Sequence, residues 1–214
     1  MGLEGDQDMK KMIYLVMLIT VPAIYQLCLA DVPYQIGGFR LGANVKQYAG
    51  SLRMEASLPI RHMEYLSEVE VKPFNGFRSG YIFYGNCYDS GQVVKIKLRY
   101  GRDDREFFDE LLEHFSKKFG KPDEYKGDAF RAFIAWKWSF TDKSKNKITL
   151  ILQHNSEDDE EYTGGNSVKM SQMTLMEQER KCYEKKHPEA REESLEAQKE
   201  SSQKRPDFKL LVPE

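Results

Sequence analysis

Chemistry in this 214-residue sequence rests on few side chains: Cys28, Cys87 and Cys182, and His62, His114, His154 and His187. No two histidines share a metal-ligand spacing, and no CxxC or HxxxH element completes a site around them. His114 sits four residues after Glu110, the spacing of a surface pair on a helix. The chain also lacks G-x-S-x-G, H-E-x-x-H, a phosphate-cradling glycine loop and the C-x-x-C-H of covalent haem. The sequence predicts no catalytic residue, no metal and no cofactor, hence a protein that is not an enzyme.

The cysteines take their meaning from the N-terminus. Lys10 and Lys11 precede an apolar run, 12–29, that ends in Leu29-Ala30 before Asp31. A basic start, an apolar stretch and small residues at the cut describe a secretory signal over 1–30. Met9 followed by two lysines makes a conventional start. The alternative is an uncleaved inner-membrane anchor, because the run is nearly long enough to span a bilayer. Cys28 follows Tyr25-Gln26-Leu27, which is no lipobox. Cleavage leaves Cys87 and Cys182 in a compartment where disulfides persist, and the pair is expected to bridge. Two buried thiols, or a metal pair helped by His187, are the rival readings.

Two further groups stand out. Glu157, Asp158, Asp159, Glu160 and Glu161 form the densest charge run, without the alternating spacing of a calcium loop, and read as a solvated hairpin loop. Trp136 and Trp138 alternate on one strand face. Such a pair forms either a binding platform for a sugar or peptide, or core against a helix rich in Phe.

The element that must position these groups is the helix over 103–120. Phe107, Phe108, Leu111, Leu112, Phe115 and Phe119 recur at helical spacing, while Asp109, Glu110, Glu113, Lys117 and Lys118 face water. Asp103 with Glu106 three residues on reads as a capping box, and Gly120 followed by Pro122 as the stop. A shorter helix is expected over 44–52, with Val45, Tyr48, Ala49 and Leu52 inward. Strands are expected over 62–72, 78–88 and 92–100, then 130–140, 147–154 and 167–175. On 92–100, Val94, Ile96, Leu98 and Tyr100 alternate with Lys95, Lys97 and Arg99, giving one wet face.

Helix, three strands, helix, three strands is an order that repeats, over 36–101 and 103–175, and suggests a duplicated αβββ unit. The expected fold class is α+β, a two-layer sandwich of antiparallel sheet with helices on one face, forming a single domain over 31–176. Residues 177–214 turn charged; 177–186 reads as a helical extension carrying Cys182, and the rest as a mobile or loosely helical tail ending in the apolar Phe208, Leu210, Leu211 and Val212. Without 1–30 the chain carries 30 basic against 31 acidic groups, so nucleic acid is not an expected partner.

Phe119-Gly120-Lys121-Pro122, then Trp136 in the following strand, then the apolar 148–152, resembles the helix-end "LG-x-P", strand "W" and next-strand pattern of two groups. These are the small SmpA-type outer-membrane assembly lipoproteins and the tandem β-lactamase-inhibitory proteins. Leu41-Gly42 before Val45 echoes it in the first half. The resemblance implies a non-enzymatic periplasmic protein that presents a sheet face or its loops to a protein partner in the cell envelope. After signal cleavage no stable membrane anchor is expected. The alternative function is a small ligand-binding or enzymatic domain with a pocket near Trp136 and Trp138.

Overall fold

The computed structural model describes residues 32–130, 132–156 and 164–189. The expected signal over 1–30, the acidic run 157–161 and the part of the expected tail beyond 189 lie outside the described residues.

The fold is α+β. A two-residue ribbon, β1 (Gln35–Ile36) with β2 (Phe39–Arg40), leads into 3-10 helices at Val45–Ser51 and Met54–Ala56. Four strands follow: β3 (Leu58–Ile60), β4 (Met63–Val71), β5 (Phe77–Gly85) and β6 (Val93–Tyr100). Helix α1 (Arg105–Phe119) opens the second half, then β7 (Glu124–Gly127), β8 (Phe133–Thr141), β9 (Lys147–Asn155) and β10 (Gly165–Gln172), and last α2 (Met173–Lys186). The eight longer strands make one antiparallel sheet in the order β3-β4-β5-β6-β10-β9-β8-β7.

That order is symmetric about its middle. Each half supplies helical turns and then a four-strand meander, and the last strand of each meander pairs with the other at the β6–β10 seam, where Leu98 faces Val168 and Ile96 faces Met170. The observed unit has one strand more than the expected αβββ. The extra strands, β3 and β7, are the two edges of the sheet. Pro59 speaks against a strand in sequence, yet an edge tolerates proline because one side of the ladder makes no bonds. In β7 all four residues are exposed, so no alternation marks it.

One sheet face carries the main core. Val69, Val71, Ile82, Ile96, Leu98, Ile148, Leu150, Leu152, Val168 and Met170 are almost fully buried there beneath Phe108 of α1, Val45 of the first 3-10 segment and Leu52, which caps that segment. The two helices read from sequence therefore share a face, as expected. The first is a 3-10 helix of seven residues: Asn44 caps it through Lys46 N–H, and Gly50-Ser51 end it. Helix α2 packs on the opposite face, where Leu175 and Met176 meet Leu66, Phe83 and Val94. At this end the sandwich has three layers. The helix begins at Met173, before the expected domain boundary at 176, and belongs to the packed body.

Val94 changes sides relative to the expectation. Tyr84 pairs with Val93 while Phe83 pairs with Lys95, so a bulge turns Val93 into the main core and Val94 toward α2. Strand β8 begins at Phe133 instead of 130, because the Asp128 carboxylate accepts from the backbone N–H groups of Phe130, Ala132 and Phe133 and holds that segment as a turn.

Helix α1 starts one residue later than its sequence signature. Asp104 is the cap, accepting from Phe107 N–H at 2.9 Å, so Glu106 cannot complete a box with Asp103. Asp103 turns toward Arg78 instead. Bonds from Arg102, then from Phe107 N–H, hold the Asp104 carboxyl down at about 2. Because this folded value is depressed, the cap is fully charged above the usual carboxylate range and is lost only as pH falls toward 2. Asp104→Ala is expected to fray the first turn of α1, read as faster amide exchange at Phe107 and Phe108 with the rest of the helix unchanged.

Candidate functional site

The two tryptophans are parted by their surroundings. Trp138 is 2% exposed; its ring lies 5.8 Å from Phe115, and its indole N–H donates to Gly120 O at 2.8 Å. It joins β8 to the end of α1, where Gly120 closes the helix at φ +82° by donating to Ser116 O. Trp136, one pleat along on the same face, is half-buried and sits 4.6 Å from the half-exposed Tyr125 of edge strand β7. The ring pair at the surface is therefore Trp136 with Tyr125, and Trp138 belongs to the core.

Cys87 and Cys182 are bonded, their Cα atoms 5.8 Å apart and 95 positions apart in sequence. The bridge fastens α2 to the turn after β5. One helical turn earlier, the fully buried Glu179 aims at the same turn: Oε2 accepts from the N–H groups of Cys87 (2.7 Å) and Tyr88 (2.9 Å), and Oε1 from Asp89 (3.0 Å). A Cβ on Gly85 would lie 2.0 Å from Glu179 Oε1, which is why the strand ends in glycine there. His187 stacks on Tyr183 at 4.3 Å. Among the described residues no group of three or more His, Cys, Asp or Glu side chains could hold a metal.

The face that carries α2 at one end carries cations along the centre of the sheet. Lys95, Lys97 and Arg99 point to it from β6, and Lys169 on β10 is directly opposite Lys97. Lys95 lies over the Phe83 ring, its Nζ 4.2 Å from the centroid. Burial, then the charges of Lys169 and Lys97, brings Lys95 down to about 8. Burial likewise lowers Lys97, with Lys169 and Arg99 adding to it, and lowers Lys169, with Lys126 adding. Like charges set opposite each other weaken a sheet, and Glu68 on β4 offsets part of this at Lys95 and Lys97. The wet strand face predicted the side but not the crowding; three cations at alternate positions of one strand were the available signal.

The seam leads to a cavity of about 480 Å³ at the start of α1, lined among others by Arg78, Arg99, Asp103, Arg105 and His154. Nη2 of Arg78 and Nη2 of Arg99 both donate to the single carbonyl oxygen of Gly164, at 3.0 and 2.9 Å. His154 is buried against Phe108, with Nδ1 2.8 Å from Asn166 Oδ1. Neither tryptophan lines this cavity.

The chain is thus an α+β protein with a disulfide and a cationic sheet face. Comparison with protein-family models, curated proteins and solved structures finds no match.

Proposed function

We propose that this protein is an exported, non-catalytic binding module of the cell envelope, and that the Lys95–Lys97–Lys169 face receives an acidic protein partner. The observation that carries the reading is the direct opposition of Lys97 and Lys169 with Lys95 beside them. Burial and the neighbouring lysines lower Lys95 and Lys169, Glu68 offsets part of this at Lys95 and Lys97, and the net excess of ammonium groups on this face suits a partner that brings carboxylates. The disulfide supports maturation in an oxidising compartment, and the basic, apolar, small-residue order of 1–30 supports export into it. Among the described residues no helix is long and apolar enough to cross a membrane.

The reading separates binding from folding. Lys95→Met removes a charge that the folded state tolerates poorly, and is expected to raise stability at pH 7 by about 1–2 kcal/mol. The pH dependence has the corresponding sign. Below about 8 the ammonium is charged in both states and the folded state bears the penalty; as pH rises from 8 toward the unfolded value of 10.5 the folded state sheds the proton first, and stability rises. Tyr100, whose burial raises its phenol, reverses the trend above pH 10, where the unfolded chain ionises first. Thermal melts between pH 7 and 10 should show the rise in the wild type and a smaller one in Lys95→Met, where Lys97 and Lys169 still contribute.

Binding tests the reading directly. Titration calorimetry of the full chain with poly-L-glutamate should show salt-dependent binding, reduced roughly tenfold or more by Lys95→Met/Lys169→Met and fading as pH passes 8. Unchanged affinity in the double variant would sink the reading.

A further inference from the structure

The cavity at the start of α1 holds a second, separate arrangement. Two guanidinium groups from neighbouring parts of the sheet, Arg78 of β5 and Arg99 of β6, converge on one uncharged oxygen, that of Gly164. Cations brought this close repel one another unless negative charge lies between them. Among the described residues Asp103 supplies little of it, its carboxylate being 3.5 Å from Arg78 Nη1 and two-thirds exposed, and Asp104 is engaged by Arg102. Meanwhile Nε of Arg78 and Nε of Arg99 are buried with no hydrogen-bond partner among the described residues. A guanidinium offers its Nε–H and one Nη–H side by side, the fork that fits two oxygens of an oxyanion. Both forks are half used, each by one bond to the same carbonyl.

The histidine adds direction. Asn166 Nδ2 donates to Arg102 O (3.2 Å) and Asp104 O (2.8 Å), both of which only accept, so the amide cannot be flipped and its Oδ1 must be the acceptor facing His154. Nδ1 of His154 therefore carries the proton, and in the neutral ring Nε2 is left as an acceptor. Arg105 also lines the rim, with its charge paired to Asp109 at 2.9 Å. The space exceeds what a bare phosphate or carboxylate needs and falls in the range of a small-molecule site. The helix end contributes nothing extra, because Asp104 already caps it.

We infer that this cavity binds a small molecule carrying a compact oxyanion, a carboxylate or a phosphate, which the forks of Arg78 and Arg99 grip in place of the Gly164 carbonyl. A hydroxyl on the same molecule would donate to His154 Nε2. The site is independent of the lysine face proposed above. Arg99 stands at the junction and is left unchanged in the test for that reason.

The test is an NMR titration of the full chain, following the arginine Nε–H and histidine ring signals, with inorganic phosphate in one arm, succinate in another and sodium chloride of equal ionic strength as control. The expected result is saturable movement of the Arg78 and Arg99 Nε–H signals with one of the two anions and none with chloride; whichever arm responds names the group. Arg78→Gln should weaken that binding roughly tenfold or more. Arg78→Lys, which keeps the charge and loses the fork, should restore only part of it. Lys95→Met/Lys169→Met should leave it unchanged within about twofold, so this inference and the lysine-face reading can fail separately. Movement equal to that in chloride, or binding indifferent to both Arg78 variants in folded protein, would overturn the inference.

Discussion

Glu179→Ala should lower the free energy of unfolding by about 3–5 kcal/mol, which is a large share of the stability of a domain this size. Glu179 is 1% exposed, and its two oxygens satisfy three consecutive backbone donors, Cys87, Tyr88 and Asp89. Truncation strips all three of their acceptor in a place shielded from water, and each unsatisfied buried donor costs about 1–3 kcal/mol. Water entering the space left by the side chain keeps the total below the simple sum. Glu179→Gln retains one acceptor oxygen but turns an N–H₂ toward a backbone N–H, so it should fall between the wild type and alanine. Chemical denaturation of the three proteins, compared by midpoint at equal slope, measures this. A loss below about 1 kcal/mol in the alanine variant would mean that the turn holds its shape without the carboxylate.

Cys87→Ser/Cys182→Ser should cost a comparable amount, about 4–5 kcal/mol in the chain-entropy model for a loop of this length. The bridge closes 95 positions of sequence, and it ties the same helix to the same turn. Denaturation of the wild type with and without reductant should reproduce the difference. The two effects are expected to be less than additive. Once the turn after β5 is free of α2, the carboxylate and the bridge have lost the same contact, and a double-mutant cycle should show it as a coupling of about 1 kcal/mol or more. Full additivity would separate the bridge from the carboxylate as independent supports.

The elements that sequence foretold are those whose side chains repeat a pattern at length. Helix α1 announces itself through six apolar residues on one stripe, and Cys87 with Cys182 through the even count that remains once 1–30 is read as an export signal. What escaped is what depends on one residue. Glu179 is chemically identical to Glu177 and Glu184, which pair with Arg180 nearer the surface, and only its position above Gly85 buries it. Helix α2 is legible only in part: 177–186 reads as a helical extension carrying Cys182, but its first turn reads as the end of a strand running to 175, and the packing of Leu175 and Met176 on the sheet is not foreseen. The cavity draws Arg78, Arg99 and His154 from three strands, and of these His154 alone stood out, without the partner that orients it. The capping residue of α1 slipped by one place because Asp103 and Asp104 offer the same carboxylate, and the bond from Arg102 favours the second.

The β6–β10 seam sets an order of assembly. Strand β6 ends at Tyr100, whereas its neighbour β10 begins at Gly165, so the first meander can form early, while the second is completed, and the two are joined, only by the last strand in chain order among the described residues. Until then each half keeps a raw strand border, ready to pair with any other chain. A polypeptide halted before Gln172 would hold two unfinished ribbons, and a chaperone that shields the border of β6 would matter more to the yield of this protein than any that attends to its helices.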